Sequence, residues 1–412
     1  MHAHCGPTLR RIRVLVVGLV AAWAVVSGIW WNASSAVATT AHRCPNNAQL
    51  YPVRVHGKCG YINMLGKIVI PPRYQRAGPF SEDRAWAYLN GKAVLLAPNG
   101  RAILRSNFGA GLPFAEGVAP VGRGVRWAKF GPGPSDVLPL GGVWGYVDRA
   151  GKLVIGMKYA SAAFFHEGGA VVTLHQGGAR ATATQSALID TRGRYKIQPG
   201  SVRLQEGEAL SEGLVVAGVR DRHRSFRWGY VDRSGRWVIR PRFRAADAFS
   251  EGLAAVQAAG TKDDLGPNGW GYHGFIDRSG AFVIPPRHRF GPAGPFSEGL
   301  APVAMLGAHG RVRTGYINRK GRFVLKNVGL AASQFVHGHA IVSIGTSARE
   351  GMPSSRVIDR AGRPLLPGTY DSVRFWAGGV IQTTRSGQME YWTASGRRFW
   401  PPPQTHKSRR PK

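Results

Sequence analysis

The chain has 412 residues, of which 43% are hydrophobic and 10% aromatic, and this composition excludes an intrinsically disordered protein. Its 55 lysines and arginines face only 22 acidic residues, so the formal net charge is +33. Such an excess favours anionic partners, namely nucleic acid, lipid head groups or acidic envelope polymers.

Residues 1–38 have the pattern of an export segment. Three arginines precede an 18-residue apolar run from Val14 to Trp31, and Ala36-Val37-Ala38 supplies a cleavage site of the A-x-A type. The segment is predicted to be a cleaved signal peptide or an uncleaved inner-membrane anchor formed by residues 14–31. In both cases the arginines place the remaining chain outside the cytoplasm, periplasmic or secreted.

One short phrase recurs through residues 44–400. It appears as GYVDRAGKLVI, GYVDRSGRWVI, GFIDRSGAFVI and GYINRKGRFVL, and five weaker copies keep its turn glycine. Successive turn glycines lie 34 to 51 residues apart, at Gly66, Gly100, Gly151, Gly193, Gly235, Gly280, Gly321, Gly362 and Gly396. A period near 40 residues indicates one supersecondary unit copied along the chain, so these residues are predicted to form a single array.

The copy from Trp228 to Val256 shows the predicted unit. Two short apolar strands flank the turn from Asp232 to Gly235, a pattern typical of a β-hairpin with a type I turn and a left-handed glycine. A third strand, Leu253 to Val256, follows, and there is room for a fourth. Because the hairpin strands are apolar at successive positions, both faces of the sheet are expected to be covered.

The predicted fold is all-β, a tandem array of about nine antiparallel units with three to four strands each. Stacked sheets in a propeller-like ring or open toroid satisfy the pattern, and a linear β-solenoid is the alternative. The weak copies around Gly66, Gly362 and Gly396 suit terminal capping units. No long amphipathic helix is expected.

The recurrent acids are predicted to be structural. One aspartate per unit holds the same turn position and is expected to cap backbone amides, at Asp148, Asp190, Asp232, Asp277 and Asp359. One glutamate per unit precedes the third strand and is expected to accept backbone amides or to pair with an arginine of the adjacent unit, at Glu82, Glu116, Glu167, Glu212, Glu251 and Glu298. His337 and His339 have a chelating spacing without a third ligand, so neither metal nor cofactor is predicted.

The combined motif resembles the WG-repeat family, in which Trp-Gly-Tyr opens each unit and Phe-Ser-Glu-Gly follows. Trp144-Gly145-Tyr146 and Trp228-Gly229-Tyr230 carry the first phrase, and Phe296-Ser297-Glu298-Gly299 carries the second. Cys59, His273 and Thr314 depart from the opening tryptophan. The resemblance implies a bacterial β-repeat scaffold assigned to binding and transfers no catalytic residues.

Insertions fall mostly between the third strand of one unit and the hairpin of the next. Equivalent connections emerge on one side of a repeat array, which is often its binding side. Several are basic, and arginine forks suit phosphate or carboxylate while tryptophan suits sugar or acyl groups. The predicted ligand-binding residues are Arg123, Arg126, Trp127, Lys129, Arg220, Arg222, Arg224, Arg227, Arg311 and Arg313.

Two further features lie at the edges of the array. Cys44 and Cys59 are candidates for a disulfide in an oxidising compartment. Residues 401–412 contain four basic side chains among prolines and are predicted to form a disordered tail.

These observations favour an exported, noncatalytic scaffold that binds an anionic envelope polymer, a lipid surface or a protein partner through its basic loops. A nucleic-acid-binding protein is the first alternative, supported by the charge and opposed by the export segment. A cell-wall polymer hydrolase using carboxylates such as Glu251 or Glu298 is the second.

Overall fold

The computed structural model describes residues 49–129, 137–175, 184–206, 209–222, 225–258, 271–286, 290–306, 312–346 and 353–402. These residues form nine small antiparallel sheets arranged in a ring, a nine-bladed β-propeller. Within each blade the strand positions are named a to d in hydrogen-bonded order. The described residues contain no α-helix and only a three-residue 3-10 turn, Ala377–Gly379.

The strands of blades 1 to 5 follow chain order. Blade 1 has b, c and d: β1 (Tyr51–Val55), β2 (Lys58–Ile62) and β3 (Ile68–Tyr74). Blade 2 has β4 (Arg76–Ser81), β5 (Arg84–Leu89), β6 (Lys92–Leu96) and β7 (Ala102–Arg105). Blade 3 has β8 (Ala110–Gly111), β9 (Val118–Arg123), β12 (Val143–Asp148) and β13 (Leu153–Tyr159), with a hairpin of β10 (Arg126–Lys129) and β11 (Val137–Leu140) inserted between b and c. Blade 4 has β14 (Ser161–Ala162), β15 (Ala170–His175), β16 (Thr184–Ile189) and β17 (Tyr195–Ile197). Blade 5 has β18 (Arg203–Leu204), β19 (Leu214–Arg220), β20 (Phe226–Asp232) and β21 (Trp237–Phe243).

Blades 6 to 9 repeat the arrangement. Blade 6 has β22 (Ala245–Ala246), β23 (Ala254–Gln257), β24 (His273–Ile276) and β25 (Phe282–Ile284). Blade 7 has β26 (Phe290–Ala293), β27 (Leu300–Leu306), β28 (Val312–Asn318) and β29 (Phe323–Gly329). Blade 8 has a, b and c: β30 (Ala331–Ala332), β31 (His339–Thr346) and β32 (Pro353–Asp359). Blade 9 has β33 (Ser372–Trp376), β34 (Val380–Arg385), β35 (Gln388–Trp392) and β36 (Arg398–Trp400).

The sequence repeat and the blade are out of phase. The WG-type hairpin β20–β21 forms strands c and d of blade 5, whereas the next predicted strand of the same repeat, β23, is strand b of blade 6. A single residue, Arg244, connects β21 to β22. Each sequence repeat therefore spans two neighbouring sheets. The predicted three to four strands per sheet are confirmed, but the hairpin and the strand that follows it in one repeat belong to different sheets.

The glycine after the opening tryptophan is required by a bulge in strand d. Between β20 and β21 the register passes from Trp228↔Phe243 to Tyr230↔Ile239, so strand d presses against strand c. A Cβ placed on Gly229 would lie 2.3 Å from the Ile239 carbonyl oxygen. Only a residue without a side chain permits this approach.

The hydrophobic core is divided among the blade interfaces. In the described residues it forms nine clusters, each built from two neighbouring blades. At the interface of blades 5 and 6, Tyr230 of strand c packs its ring 4.8 Å from that of Phe249. Each fully buried aromatic of this kind contributes about 2 to 3 kcal/mol. The prediction that each unit buries its apolar surface against its neighbours is confirmed.

The array closes on itself. Tyr51 and Val53 of blade 1 share one cluster with Tyr391 and Phe399 of blade 9. The Tyr391 hydroxyl donates to the Pro52 carbonyl oxygen, and the Tyr51 hydroxyl donates to that of Ala377 at 3.2 Å. The ring interpretation is therefore confirmed over the linear solenoid. The weak terminal repeats are not caps, because they pack against each other.

Strand d differs from the expectation of complete coverage. Strand c of blade 5 buries Gly229, Tyr230 and Val231, but strand d alternates, and Val238 is 48% exposed. Strand d forms the edge of its sheet, so successive apolar side chains along it point alternately into the blade interface and into solvent.

No described helix is long and apolar enough to cross a membrane. The predicted export segment, residues 1–38, lies outside the described residues, as does most of the predicted tail.

Candidate functional site

The strand order gives the ring two different faces. Neighbouring strands are antiparallel, so the a–b and c–d connections, where a blade has them, lie on one face of the ring, named here the turn face. The b–c connections start and end on the other face, named the loop face. The turns are short and repeat closely. The b–c connections vary in length and include the β10–β11 hairpin. The described ends of the predicted variable insertions all lie on the loop face.

On the turn face, glutamates link successive blades. In the a–b turn of blade 6, Ser250 and Leu253 exchange backbone hydrogen bonds around Glu251, at φ +53°, and Gly252, at φ +75°. Both values are left-handed, as in a type I′ turn. The Glu251 carboxylate accepts the Gly299 N–H of blade 7 at 3.0 Å.

The same link is made six times among the described residues. Each carboxylate accepts a backbone N–H from the a–b turn of the next blade, in the pairs Glu82 with Gly117, Glu116 with Gly168, Glu167 with Gly213, Glu212 with Gly252, Glu251 with Gly299 and Glu298 with Gly338. Four of these glutamates also pair with an arginine, in Arg233–Glu167, Arg278–Glu212, Arg319–Glu251 and Arg360–Glu298. Both predicted structural roles of the glutamates are confirmed.

Glu167 shows the strongest of these links. Its two carboxylate oxygens accept the N–H groups of Glu212 at 2.8 Å and of Gly213 at 2.7 Å, and Arg233 lies 3.3 Å away. Burial acts to raise the pKa of Glu167, but the two amides, together with His166 and Arg233, outweigh it and hold the pKa below its usual value.

The aspartates cap the c–d turns as predicted. Asp232 Oδ1 accepts the N–H groups of Ser234 at 2.8 Å and Arg236 at 3.0 Å, while Gly235 takes φ +84°. The Ser234 hydroxyl, followed by these amides, lowers the pKa of Asp232. The same backbone contacts occur at Asp148, Asp190, Asp277 and Asp359.

One acid outside the turns has an unusual environment. Asp247 lies between strand a and the a–b turn of blade 6, where its carbonyl oxygen accepts the Tyr230 hydroxyl at 2.7 Å. Loss of solvent around the half-buried side chain raises the pKa of Asp247 to about 7.

The loop face carries the predicted basic residues. Arg123 and Arg220 are exposed at the loop ends of β9 and β19, Arg222 follows β19, and Arg313 is exposed on β28. Arg227 is half-buried and pairs with Asp221 at 3.1 Å. Within the described b–c connections Asp221 is the only acid.

Other predicted residues are placed only in part. Arg224 and Arg311 lie outside the described residues, and Lys129 ends β10 with its backbone alone described. The described predicted residues lie on blades 3, 5 and 7, so the structure distributes them around one face and does not gather them into one pocket.

Trp127 packs against the protein's own side chains. Its Nε1–H donates to the Gly109 carbonyl oxygen at 3.0 Å, its ring meets Tyr88 edge-on at 5.2 Å, and the Arg76 guanidinium lies 3.9 Å above it. One face of the indole is thus occupied. This geometry favours a role in fixing the β10–β11 hairpin over the predicted stacking on sugar or acyl groups.

Loop-face arginines stack on aromatic rings. The guanidinium carbon of Arg220 lies 5.0 Å from the centre of the Phe226 ring, and that of Arg123 lies 5.3 Å from Phe108. Within the described residues neither arginine forms an ion pair with a carboxylate. A stacked guanidinium uses its flat face and leaves the N–H donors at its edge directed outward for an anion.

The predicted Cys44–Cys59 disulfide stays a prediction because Cys44 lies outside the described residues. Cys59 Sγ lies 3.7 Å from the Gln75 carbonyl oxygen. No group of three or more metal-binding side chains occurs among the residues that the structure describes.

A family model described as "WG containing repeat" matches the chain four times, at residues 60–92, 144–175, 228–260 and 274–307. The chain is a WG-repeat protein. Each match begins in strand c of one blade and extends into the next blade, so the family's unit has the same half-blade offset as the phrase seen in the sequence.

Comparison with solved structures supports the fold of this WG-repeat protein and nothing more. It is similar to a structure titled "Crystal structure of the eukaryotic initiation factor", at 11% identity and a TM-score of 0.55, with 85% of this chain and 94% of the other covered. A structure from a study of two prolyl endopeptidases matches at 12% identity and a TM-score of 0.43, with 93% and 60% covered. No curated protein matches the sequence.

Sequence reasoning missed two loop-face cations of the WG-repeat protein. Arg76 and Arg203 begin strand a of blades 2 and 5, outside the insertions. Arg203 lies 5.0 Å from the Phe226 ring, on which Arg220 also stacks. These two arginines could have been found only by knowing which strands belong to one blade, because the first strand of each blade begins at the loop face. That assignment of strands to blades cannot be read from one repeat.

Proposed function

We propose that this WG-repeat protein is a noncatalytic scaffold that binds an anionic polymer or an anionic lipid surface through its loop face. The observation that carries the proposal is that two exposed loop-face arginines form no ion pair with a carboxylate among the described residues, although Arg227 on the same face pairs with Asp221. Turn-face arginines such as Arg233 pair with carboxylates, whereas Arg123 and Arg220 on the loop face stack on rings.

The charge distribution supports the same face. The repeated aspartates and glutamates belong to the turns, where backbone amides and arginines engage them. In its described b–c connections the loop face has Asp221 as the only acid. Its potential is therefore positive and suits a phosphate- or carboxylate-bearing surface, for which each basic residue near an anionic membrane contributes about 1 kcal/mol.

The two glutamates proposed for a hydrolase, Glu251 and Glu298, make structural contacts. Glu251 and Glu298 each accept a backbone N–H of the next blade and pair with an arginine, at 3.9 and 3.3 Å respectively. These contacts support a structural role, and they favour binding over polymer hydrolysis as the proposed function.

The test compares matched charge reversals on the two faces. One variant carries Arg123→Glu, Arg220→Glu and Arg313→Glu, and its control carries Lys152→Glu, Arg192→Glu and Lys320→Glu, three exposed cations of the c–d turns. Both have the same net charge. Sedimentation with phosphatidylglycerol vesicles, and with phosphatidylcholine vesicles as the neutral reference, measures binding.

We expect the loop-face variant to bind phosphatidylglycerol vesicles at least about tenfold more weakly than the control. A polyphosphate chain, titrated in parallel, separates a soluble polymer from a lipid source. Equal loss of binding in both variants would refute the loop face as the site. Stronger, loop-dependent binding of DNA than of vesicles or polyphosphate would favour the nucleic-acid alternative.

Export is part of this proposal and rests on the sequence of residues 1–38. Expression in a bacterial host, followed by fractionation and N-terminal sequencing, tests it. Recovery of uncleaved protein in the cytoplasmic fraction would contradict it.

A further inference from the structure

A cleft of about 400 Å³ opens on the turn face between blades 4 and 5. Leu188 and Leu210 form apolar walls, the Tyr195 ring borders them, and Lys196 and Arg233 line the polar side. The volume is within the range of small-molecule sites. The cleft lies on the face opposite to the basic loops, so it is separate from the proposed polymer-binding surface.

The cleft lies where blade 4 departs from the repeat. The residue after the Glu-Gly turn is large and apolar in blades 3, 5, 6 and 7, where it is buried in the interface with the next blade, at Val118, Leu214, Leu253 and Leu300. Blade 4 has Gly169 there. The cleft between blades 4 and 5 opens beside this position.

Backbone conformation does not require this glycine. Gly169 does not have the left-handed φ of its neighbour Gly168, at +78°. A Cβ at Gly169 would lie 3.1 Å from Leu188 Cδ1, which is the end of a flexible side chain. A larger residue is therefore conformationally allowed, and what distinguishes Gly169 is its place in the lining of the cleft.

The charge of the cleft suits an anion. Lys196 and Arg233 each carry a positive charge, and Glu167 is the only acid in the lining. Glu167 is already held by the amides of Glu212 and Gly213, so Arg233, at 3.3 Å and 60% exposed, retains donors for a ligand. Lys196 lies 3.9 Å from Asp190, whose Oδ2 is shared with Arg194 at 2.8 Å.

We propose that this cleft binds a small amphipathic anion, an aliphatic or aromatic body bearing one carboxylate or phosphate group. The apolar body lies over Gly169 against Leu188 and Leu210, where blades 3, 5, 6 and 7 place a Val or Leu of their own. The anionic group meets Lys196 and Arg233 at the mouth. The apolar half of the ligand thus replaces a contact that the neighbouring interfaces make with a side chain of the protein.

Titration calorimetry with decanoate tests the proposal, with decan-1-ol as the uncharged probe of the same body. We expect decanoate to bind the wild-type protein, Gly169→Leu to abolish binding by filling the cleft, and Lys196→Gln to weaken it by about threefold. Lys152→Gln, which removes an exposed cation from the turn of blade 3, is the matched control and should bind as the wild type does.

The loop-face triple variant should also bind decanoate normally, which separates this site from the proposed function. If Gly169→Leu does not fold, Gly169→Ala replaces it, because one methyl group against Leu188 already narrows the cleft. Octyl phosphate, titrated in the same way, is the probe for a phosphate head group. The proposal is overturned if the wild type binds neither decanoate nor octyl phosphate, if decan-1-ol binds as tightly as decanoate, or if the position-169 variants bind as the wild type does.

Discussion

Removing the Glu167 carboxylate should measure what one link between blades contributes. In Glu167→Ala two charge-assisted hydrogen bonds are lost, to the amides of Glu212 and Gly213 at 2.8 and 2.7 Å. Each hydrogen bond is expected to contribute about 1.5 kcal/mol to the free energy of unfolding. This is the lower end of the range for hydrogen bonds to charged groups, because water reaches this surface turn. The ion pair with Arg233 adds about 0.5 kcal/mol or less because that side chain is 60% exposed.

The expected loss is therefore about 3 kcal/mol, and its origin can be separated from backbone strain. Glu167 has φ +51°, a left-handed value that costs a residue with a Cβ about 1 to 2 kcal/mol. Glu167→Gly removes that strain as well as the carboxylate. The glycine also raises the conformational entropy of the unfolded chain, which lowers the free energy of unfolding by about 0.4 to 1 kcal/mol. We thus expect the glycine variant to be more stable than the alanine variant by about 0.5 to 1 kcal/mol.

Urea unfolding followed by tryptophan fluorescence measures these differences, with Lys320→Ala as the control for an exposed turn residue. Repeated measurement from pH 7 downward tests the charge. Because the folded-state pKa of Glu167 is lowered, its contribution is present above the unfolded pKa and is lost as pH falls through the folded pKa. Equal stability of Glu167→Ala and Lys320→Ala at pH 7 would refute the linking role.

Three further predictions concern ring closure and the half-buried Asp247. Gly66→Ala would place a Cβ 2.4 Å from the Phe399 carbonyl oxygen at φ +73°, whereas Gly57→Ala, at φ +77° with nothing within 4 Å, suffers backbone strain alone. We expect the first to lose at least about 1 kcal/mol more in urea unfolding, and equal losses would contradict the contact across the ring. Tyr391→Phe removes the hydroxyl that donates to Pro52 and should lower the free energy of unfolding by about 1 to 2 kcal/mol, a change that an unaltered midpoint would exclude. For Asp247, a folded pKa of about 7 means that stability present below the unfolded pKa is lost as pH rises through 7. Asp247→Asn should therefore stabilise the protein by about 2 kcal/mol at pH 8 and have little effect near pH 4, and an effect independent of pH would rule out this explanation.

The repeat chemistry was predictable because it is local. The turn from Asp232 to Gly235 needs a capping acid and a left-handed residue three positions apart, and both are visible in the sequence. The role of Glu251 followed from its fixed place in each copy. Its partner in the next blade lies 48 residues further along the chain, and only the repeat period indicates that residues so far apart in sequence are neighbours.

The blade phase was not predictable from one copy. Strand β23 could pair with the hairpin before it or with the hairpin after it, and the apolar pattern is the same for both. The longer connection to β24 is the one that stays within the blade, while Arg244 alone crosses to the next.

The candidate site was predicted in position but not in detail. The insertions do share one face, yet the environment of Trp127 depends on Arg76 and Tyr88, which precede it by more than 35 residues. The cleft at Gly169 is visible as a departure from the repeat, but its significance depends on the neighbouring blade. Side-chain surroundings of this kind come from the packing of blades, which periodicity does not encode.

A covalent backbone connection joins each pair of successive blades, but not blade 9 and blade 1, whose interface closes the ring. In the described residues the peptide chain passes directly from each sheet to the next, through only Gln75, Ala160, Arg244 or Leu330 at four of these crossings. Between the last sheet and the first, only noncovalent contacts such as Tyr391 with Pro52 hold the two together. Heat or mechanical force should therefore part the molecule at this seam first, opening the circle into a strip whose remaining sheets are still tethered in order.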